Sequence, residues 1–266
     1  MQDDGGSASR SLPCAAGCAR LFLSRFFYCG STVNGFASSP FFTFERPTAN
    51  RQPQTANREP QTVYPQIYLI RHGETEWAKN GRHTGRTDIP LTDAGREQAG
   101  FLLPIFDEVK FAGILSSPLK RALETANIAG LGSRLELDND LMEWDYGDFE
   151  GLLTKEIREQ VPDWTVWTHP CPKGETIEQV SQRADRVVAK LRSIEGNVAV
   201  FSHGHFLRVL VSRWIGLPSN YGRCFLLGTS TLSILGYEDE KPVIKTWNGP
   251  LITAACAIPW KRPSVP

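Results

Sequence analysis

The chain has no net charge to speak of: 29 Lys and Arg balance 29 Asp and Glu. No overall field therefore draws it to nucleic acid or to an anionic membrane. It also lacks any uninterrupted apolar run near the roughly 18 residues that a membrane-spanning helix needs. Its cysteines make no pattern. Cys14, Cys18, Cys29, Cys171, Cys224 and Cys256 are scattered, and no His or second Cys pair answers Cys14 and Cys18 at metal-ligand spacing. Neither a disulfide framework nor a zinc site follows, and free thiols point to a reducing compartment. Acidic residues are missing from Gly5 to Phe44, where Arg10, Arg20 and Arg25 punctuate Ser, Ala, Leu and Phe. That composition is transit-peptide-like. Asp3 and Asp4 oppose that reading, and a disordered, non-catalytic tail is the alternative. The expected location is cytoplasmic, or organellar (mitochondrion or plastid) if residues 1–65 act as a transit peptide.

What is present divides the chain into four. After residues 1–47 comes a polar linker over 48–63, in which Thr48-Ala49-Asn50-Arg51-Gln52-Pro53-Gln54 is followed by a near copy, Thr55-Ala56-Asn57-Arg58-Glu59-Pro60-Gln61. A polar heptad with a proline and no apolar face packs as neither helix nor sheet. A folded domain is expected over 64–250, with a tail at 251–266. In the domain, Ile67-Tyr68-Leu69-Ile70 reads as a buried strand ending at Arg71-His72-Gly73. Thr92 is placed to cap a helix running through Leu103, with Pro104 near its end. A second strand, Gly113 to Ser116, leads into a helix capped by Ser117 with Pro118 at its first position. Ile177, Val180, Ala184, Val187, Val188, Leu191 and Ile194 recur at helical spacing across 175–194. Val198 to Phe201 is another buried strand, ending at Ser202-His203-Gly204, and a helix follows through Leu207, Val211 and Trp214. Thr231–Tyr237 and Val243–Trp247 close the sheet at its edge. Strand–helix alternation predicts one three-layer α/β/α sandwich with a mostly parallel sheet.

Three strand ends carry polar clusters: Arg71-His72, Ser116-Ser117 leading to Arg121, and His203-Gly204. Ligand crevices lie outside the carboxyl ends of such strands. Two guanidinium forks and two imidazoles in one crevice suit a dianionic, tetrahedral group. Phosphoryl transfer asks mainly for positioning and charge neutralisation, which the two arginines and a protonated His203 would supply without a metal. A neutral imidazole is a competent nucleophile, so His72 is the candidate that takes the phosphoryl group. Glu143, in an apolar and aromatic loop suited to keeping a proton, is the candidate acid and then base. Each piece alone is weak: a lone histidine after a strand is more often structural, and a loop carboxylate is usually just exposed.

Their order is specific. Arg71-His72-Gly73-Glu74-Thr75-Glu76-Trp77, Thr84-Gly85, Pro90-Leu91-Thr92 with Gly95, and Ser116-Ser117-Pro118-Leu119 with Arg121 and Glu124-Thr125-Ala126 come first. Glu143 with Tyr146-Gly147, Glu150-Gly151 and Ser202-His203-Gly204-His205 follow. Residues 66 to 250 so resemble the histidine phosphatase superfamily, the phosphoglycerate mutase-like family. The resemblance implies a phosphohistidine at His72, phosphoryl binding by Arg71, Arg121, His203 and Gly204, and proton donation by Glu143. It also implies pocket contacts from Thr84 and Gly85, with no cofactor and no metal. Ala78 stands where members often carry Asn, so either one phosphate hydrogen bond is missing or a neighbour such as Asn80 substitutes. Trp144 stands where mutases carry Arg, and the stretch from acid to second histidine is short. The resemblance is to sedoheptulose bisphosphatase-like and broad-range acid phosphatase members. It implies a phosphatase of small phosphorylated metabolites, probed against a mutase and a phospho-ligand-binding pseudoenzyme as alternatives. No nucleic-acid or membrane partner is expected, and a homo-oligomer stays open.

Around the site, Trp144 is expected at the substrate mouth and Phe149 in the packing. His205 is expected to brace the pocket or cap its helix, and His83 to be an exposed loop residue. Trp164, Trp167 and His169 form a lid or a surface loop. Arg208 and Arg213 fall on the solvated face of the last helix.

Overall fold

The computed structural model describes residues 64–250 of the chain; the expectations for 1–63 and 251–266 lie outside the described residues. The elements run β1 (Ile67–Arg71), α1 (Glu76–Asn80), α2 (Asp93–Gly100), α3 (Leu103–Phe106), β2 (Phe111–Ser116), α4 (Lys120–Ile128) and β3 (Glu136–Leu137). Then come α5 (Thr154–Gln160), α6 (Ile177–Ser193), β4 (Asn197–Ser202), α7 (Gly204–Trp214), β5 (Thr231–Glu238) and β6 (Lys241–Pro250). The strands form one sheet in the order β3-β2-β4-β1-β5-β6. β1, β4, β2 and β3 are mutually parallel, while β5 runs antiparallel to β1 and β6 antiparallel to β5.

Both faces of the central strands are covered, so these strands read as continuous apolar runs. Ile67, Leu69, Leu115, Val198 and Val200 point to one face, against Val180, Ala184, Val187 and Leu191 of α6 and Phe206, Leu210 and Trp214 of α7. Tyr68, Ile70, Ile114, Ala199 and Phe201 point to the other, against Leu102, Phe106, Ala122 and Ala126. The period of two along each strand thus sorts its residues into two cores, which gives the three-layer sandwich. α6 begins with a capping box in which Thr176 accepts from Gln179 N and Gln179 answers Thr176 N. Replacing such a cap by alanine costs about 1 kcal/mol.

Register positions the site. Arg71 pairs with Ser202, and both Ile70 and Ser116 align with Phe201. The ladder continues one step further: His72 N donates to Ser202 O at 3.1 Å and Ser117 N to Phe201 O at 3.0 Å. β1, β4 and β2 therefore end level, and the residues after them emerge side by side.

Three boundaries differ from expectation. The helix from Thr92 stops at Gly100, and Pro104 opens α3 instead of closing α2. Proline lacks the N–H an interior turn needs, so it suits a first turn. α4 begins at Lys120, not beside Ser117. The Ser117 hydroxyl accepts from Leu119 N but also faces His203. α1 and the two-residue β3 are too short to leave a periodic signal.

Candidate active site

Where β1 ends, His72 is almost fully buried. Its Nδ1 lies 2.7 Å from Gly73 O. A carbonyl only accepts, so Nδ1 carries the proton and Nε2 keeps a lone pair for the cavity. Burial, then the charges of Arg121 and Arg71, hold its pKa well below the usual histidine value, against a smaller opposing pull from the Gly73 carbonyl. The turn itself is locked. Gly73 N donates to Thr125 Oγ1 at 3.0 Å, and the Thr125 hydroxyl donates to Arg121 O at 2.7 Å. A Cβ on Gly73 would stand 2.5 Å from Gly95 O, so the chain leaving β1 crosses α2 closely enough to require glycine.

Arg71 donates Nη1 to Leu227 O, while its buried Nε has no partner among the described residues. An unmade bond at a buried donor costs about 1–3 kcal/mol, so this N–H is a candidate donor for a ligand. Arg121 is fully buried. Its Nε donates to His203 Nδ1 at 3.1 Å, Nη1 to Thr87 O at 3.0 Å and Nη2 to Gly85 O at 2.8 Å. Because His203 Nδ1 accepts, its proton sits on Nε2 and is donated to Ser117 Oγ at 2.7 Å. Burial and then Arg121 push the His203 pKa well below the usual value. The protonated His203 expected from sequence is thus corrected to a neutral one: an arginine occupies the position a second proton would need. Arg121 and His203 stand behind His72, with the two imidazole centroids 5.2 Å apart, and neither lines the cavity.

Glu143 lies at the mouth of α7. Its Oε1 accepts from Trp144 N at 2.9 Å and Phe206 N at 2.8 Å, and its Oε2 from His205 N at 3.0 Å. The positive end of the helix adds to this. The apolar loop expected around it is there, but both oxygens are also held by backbone donors.

The cavity in front of these groups measures about 180 Å³, and Arg71, His72, Glu143, Thr84 and Gly204 all line it. Gly85 does not. Its carbonyl serves Arg121, and a Cβ there would collide with the Glu150 carboxylate. Trp144 is a second correction. It is 1% exposed, in the core, with its indole N–H donating to Glu175 O at 2.9 Å, and it does not reach the substrate mouth. Phe149 is packed as expected. His83 and Arg208, read as exposed or solvated, both line the cavity, as do Ala78, Tyr146 and His205. Tyr146 Oη lies 2.5 Å from His205 Nδ1. Burial lowers the His83 pKa to about 4 and that of His205 well below the usual value. Arg208 lays its guanidinium 4.8 Å over Trp167 and donates Nε to Gly222 O at 2.9 Å. Arg213 is on the surface, paired with Asp185. Asn80 does not substitute at the cavity: it bonds Glu76 on the surface. Trp164 is buried against Phe149 and His83, so the aromatic segment is anchored packing in place of a lid. Among the described residues no group of three or more His, Cys, Asp or Glu is placed to hold a metal ion, and no helix is long and apolar enough to cross a membrane.

A three-layer sandwich with imidazoles and guanidinium groups at level strand ends defines an enzyme of the phosphoglycerate mutase-like fold. The particular family is clear from comparison. The model of the histidine phosphatase superfamily (branch 1) matches residues 67–250, and the chain belongs to that superfamily, as a phosphatase. An acid phosphatase of Mycobacterium tuberculosis is 45% identical over 177 residues, 65% of this chain and 87% of that protein. A sedoheptulose 1,7-bisphosphatase of Saccharomyces cerevisiae is 35% identical over 189 residues, 58% of this chain and 68% of its own length. A solved structure of a Mycobacterium tuberculosis open reading frame superposes with a TM-score of 0.67 at 41% identity, covering 71% of this chain and 99% of that one.

Proposed function

We propose that the chain hydrolyses small phosphomonoesters, sugar phosphates in particular, through a phosphohistidine on His72 and without a metal. The observation that carries this is the Nδ1–H···O bond from His72 to Gly73, which leaves Nε2 unprotonated toward the cavity. Nε2 attacks phosphorus, the P–O bond to the leaving group breaks, and Glu143 supplies the proton that the leaving oxygen needs. Water then attacks the phosphohistidine, Glu143 takes its proton, and the N–P bond breaks to free phosphate. Arg71 holds the phosphoryl oxygens from the cavity floor. Arg121 acts from behind, by its charge and by fixing His203 and the carbonyls of Gly85 and Thr87.

The cavity supports a small substrate. At about 180 Å³ it is below the roughly 300–1,000 Å³ of common ligand pockets. Two relatives, an acid phosphatase and a sedoheptulose 1,7-bisphosphatase, support a small monoester. The test is a quench of the working enzyme with ³²P-labelled substrate, followed by mapping of the label. Label at position 72, and no turnover in His72→Ala, is the expected result. Label elsewhere, or turnover near wild type in that variant, sinks the mechanism.

A further inference from the structure

The stretch that presents Glu143 belongs to no strand or long helix. After one 3₁₀ turn at Asn139–Leu141, the chain passes through Met142, Glu143 and Trp144 with its carbonyls turned inward. Buried carbonyls need donors: the Ser202 hydroxyl serves Leu141 O, and one further side chain serves three others. Arg183, in the middle of α6, donates Nη1 to Asp140 O at 2.6 Å and to Met142 O at 3.0 Å, and Nη2 to Glu143 O at 3.4 Å. The other edge of the same fork grips Glu175, Nε to Oε1 at 2.7 Å and Nη2 to Oε2 at 2.8 Å. Glu175 returns to the same loop. Its Oε2 accepts from Asp145 N at 3.0 Å and its carbonyl from the Trp144 indole at 2.9 Å. Residues 140–145 are therefore tied to one ion pair along their length.

That ion pair also packs against a residue that holds the carboxylate. The Arg183 guanidinium lies 4.8 Å over the Phe206 ring, and Phe206 N is one of the donors on Glu143. A buried ion pair is weak evidence for stability by itself. This one spends its remaining hydrogen bonds on the acid's own loop, and none on the apolar core.

We propose that Arg183, with Glu175 as its counter-ion, is a positioning residue for the proton donor: it sets where the Glu143 carboxylate stands. The inference rests on Glu143 being that donor. Loss of position by about 1 Å can cost on the order of a hundredfold in rate, and the loss falls on proton transfer. It therefore depends on how badly the leaving group needs a proton.

The experiment compares kcat/KM for para-nitrophenyl phosphate, whose leaving group departs readily, with that for an alkyl phosphate such as glycerol 2-phosphate. The enzymes are the wild type, Arg183→Lys, Glu175→Gln and Glu143→Gln. The expected result is a fall for the alkyl ester in Arg183→Lys that exceeds the fall for the aryl ester by about tenfold, with a smaller split of the same sign in Glu175→Gln. A purely structural role lowers both substrates by one factor, the folded fraction, and that outcome in both variants overturns the proposal. If Arg183→Lys does not fold, as circular dichroism would reveal, the split or its absence in Glu175→Gln decides. Glu143→Gln separates the two readings. No split there removes the acid assignment and this inference with it, whereas a split there but in neither other variant removes the inference alone.

Discussion

The floor of the cavity and its outer wall are built in opposite ways. The floor is Arg71, which ends β1, and His72 after it, backed by His203 at a strand end level with theirs and by Arg121 on the helix after β2, neither of which lines the cavity. Their polar atoms reach far along the chain: Arg121 bonds Gly85, Thr87 and His203, and Arg71 bonds Leu227. On the wall, His83, Tyr146, His205 and Arg208 come from loops and from one helix face. They bond or pack largely on one another and on nearby loops, as in Tyr146 with His205 or Arg208 with Gly222. The floor is fixed by the sheet, and the wall is what loop sequence can change. Chemistry should therefore sit in the first and recognition in the second.

The largest expected effect falls on the proton transfer itself, at Glu143, which a loop brings to the cavity beside the sheet-built floor. Glu143→Gln keeps the volume and an acceptor oxygen but removes the transferable proton. Turnover of an alkyl phosphate should fall by about 10² to 10⁴-fold, with the affinity for inorganic phosphate little changed. Steady-state kinetics with product inhibition by phosphate measures both. A loss of phosphate affinity as large as the loss of rate would move Glu143 from proton transfer to binding and blur the division.

The same division explains what was legible in the sequence. His72, Arg121 and His203 were readable because strands announce their own ends: an apolar run stops and a polar cluster begins. Glu143 was readable from the apolar and aromatic make-up of its loop and then from the family pattern, although no periodicity marks that loop. His83 and Arg208 were not readable. His83 lies in a Gly- and Thr-rich loop pinned by an isolated bridge between Arg82 and Leu153, a contact across more of the chain than any local pattern spans. Arg208 follows Leu207 on a helix, where a charge ordinarily faces water. The segment around Gly222 meets that face, its carbonyl accepting from Arg208 Nε, and Arg208 lines the cavity. Trp144 failed in the other direction. Its place beside the acid suggested the mouth, yet Glu175 O offers its indole N–H a buried partner, so the ring goes to the core. Burial of that ring predicts that Trp144→Ala acts through stability, costing about 3–5 kcal/mol in denaturant unfolding. Intact stability with a lost KM would return it to the mouth.

Between floor and wall lies a shared electrostatic condition. His72, His83, His203 and His205 all have depressed pKa values, first through burial. A base depressed on folding binds fewer protons in the native state than in the unfolded one. Stability is then full above the unfolded histidine value near 6.5 and falls as pH drops below it, down to the folded pKa. For His83, with a folded value of about 4, the loss at pH 5 is about 2 kcal/mol. Urea unfolding at pH 8 and pH 5 should show wild-type stability falling with acid, and His83→Gln should show a fall smaller by that amount. Equal falls would mean that His83 is open to water, a rim residue with no part in the wall.

The smallest effect is the sharpest test of the wall. Arg208 lines the cavity, no carboxylate pairs with it among the described residues, and its guanidinium lies over the Trp167 ring. A cation there attracts a dianionic substrate equally before and during reaction, because the bonds that change lie at His72. Such uniform binding lowers KM without raising kcat. Arg208→Leu keeps the apolar stem over Trp167 and removes the charge. KM should rise by about tenfold, equivalent to about 1.4 kcal/mol, while kcat moves by less than about threefold. Salt offers an independent reading, since screening weakens a partly exposed cation. The wild-type KM should rise between low and physiological ionic strength, and the variant's should rise less. If kcat falls as far as kcat/KM in the variant, Arg208 stabilises the transition state and belongs to the floor, and the separation of a sheet-built reaction centre from a loop-built recognition surface fails at that residue.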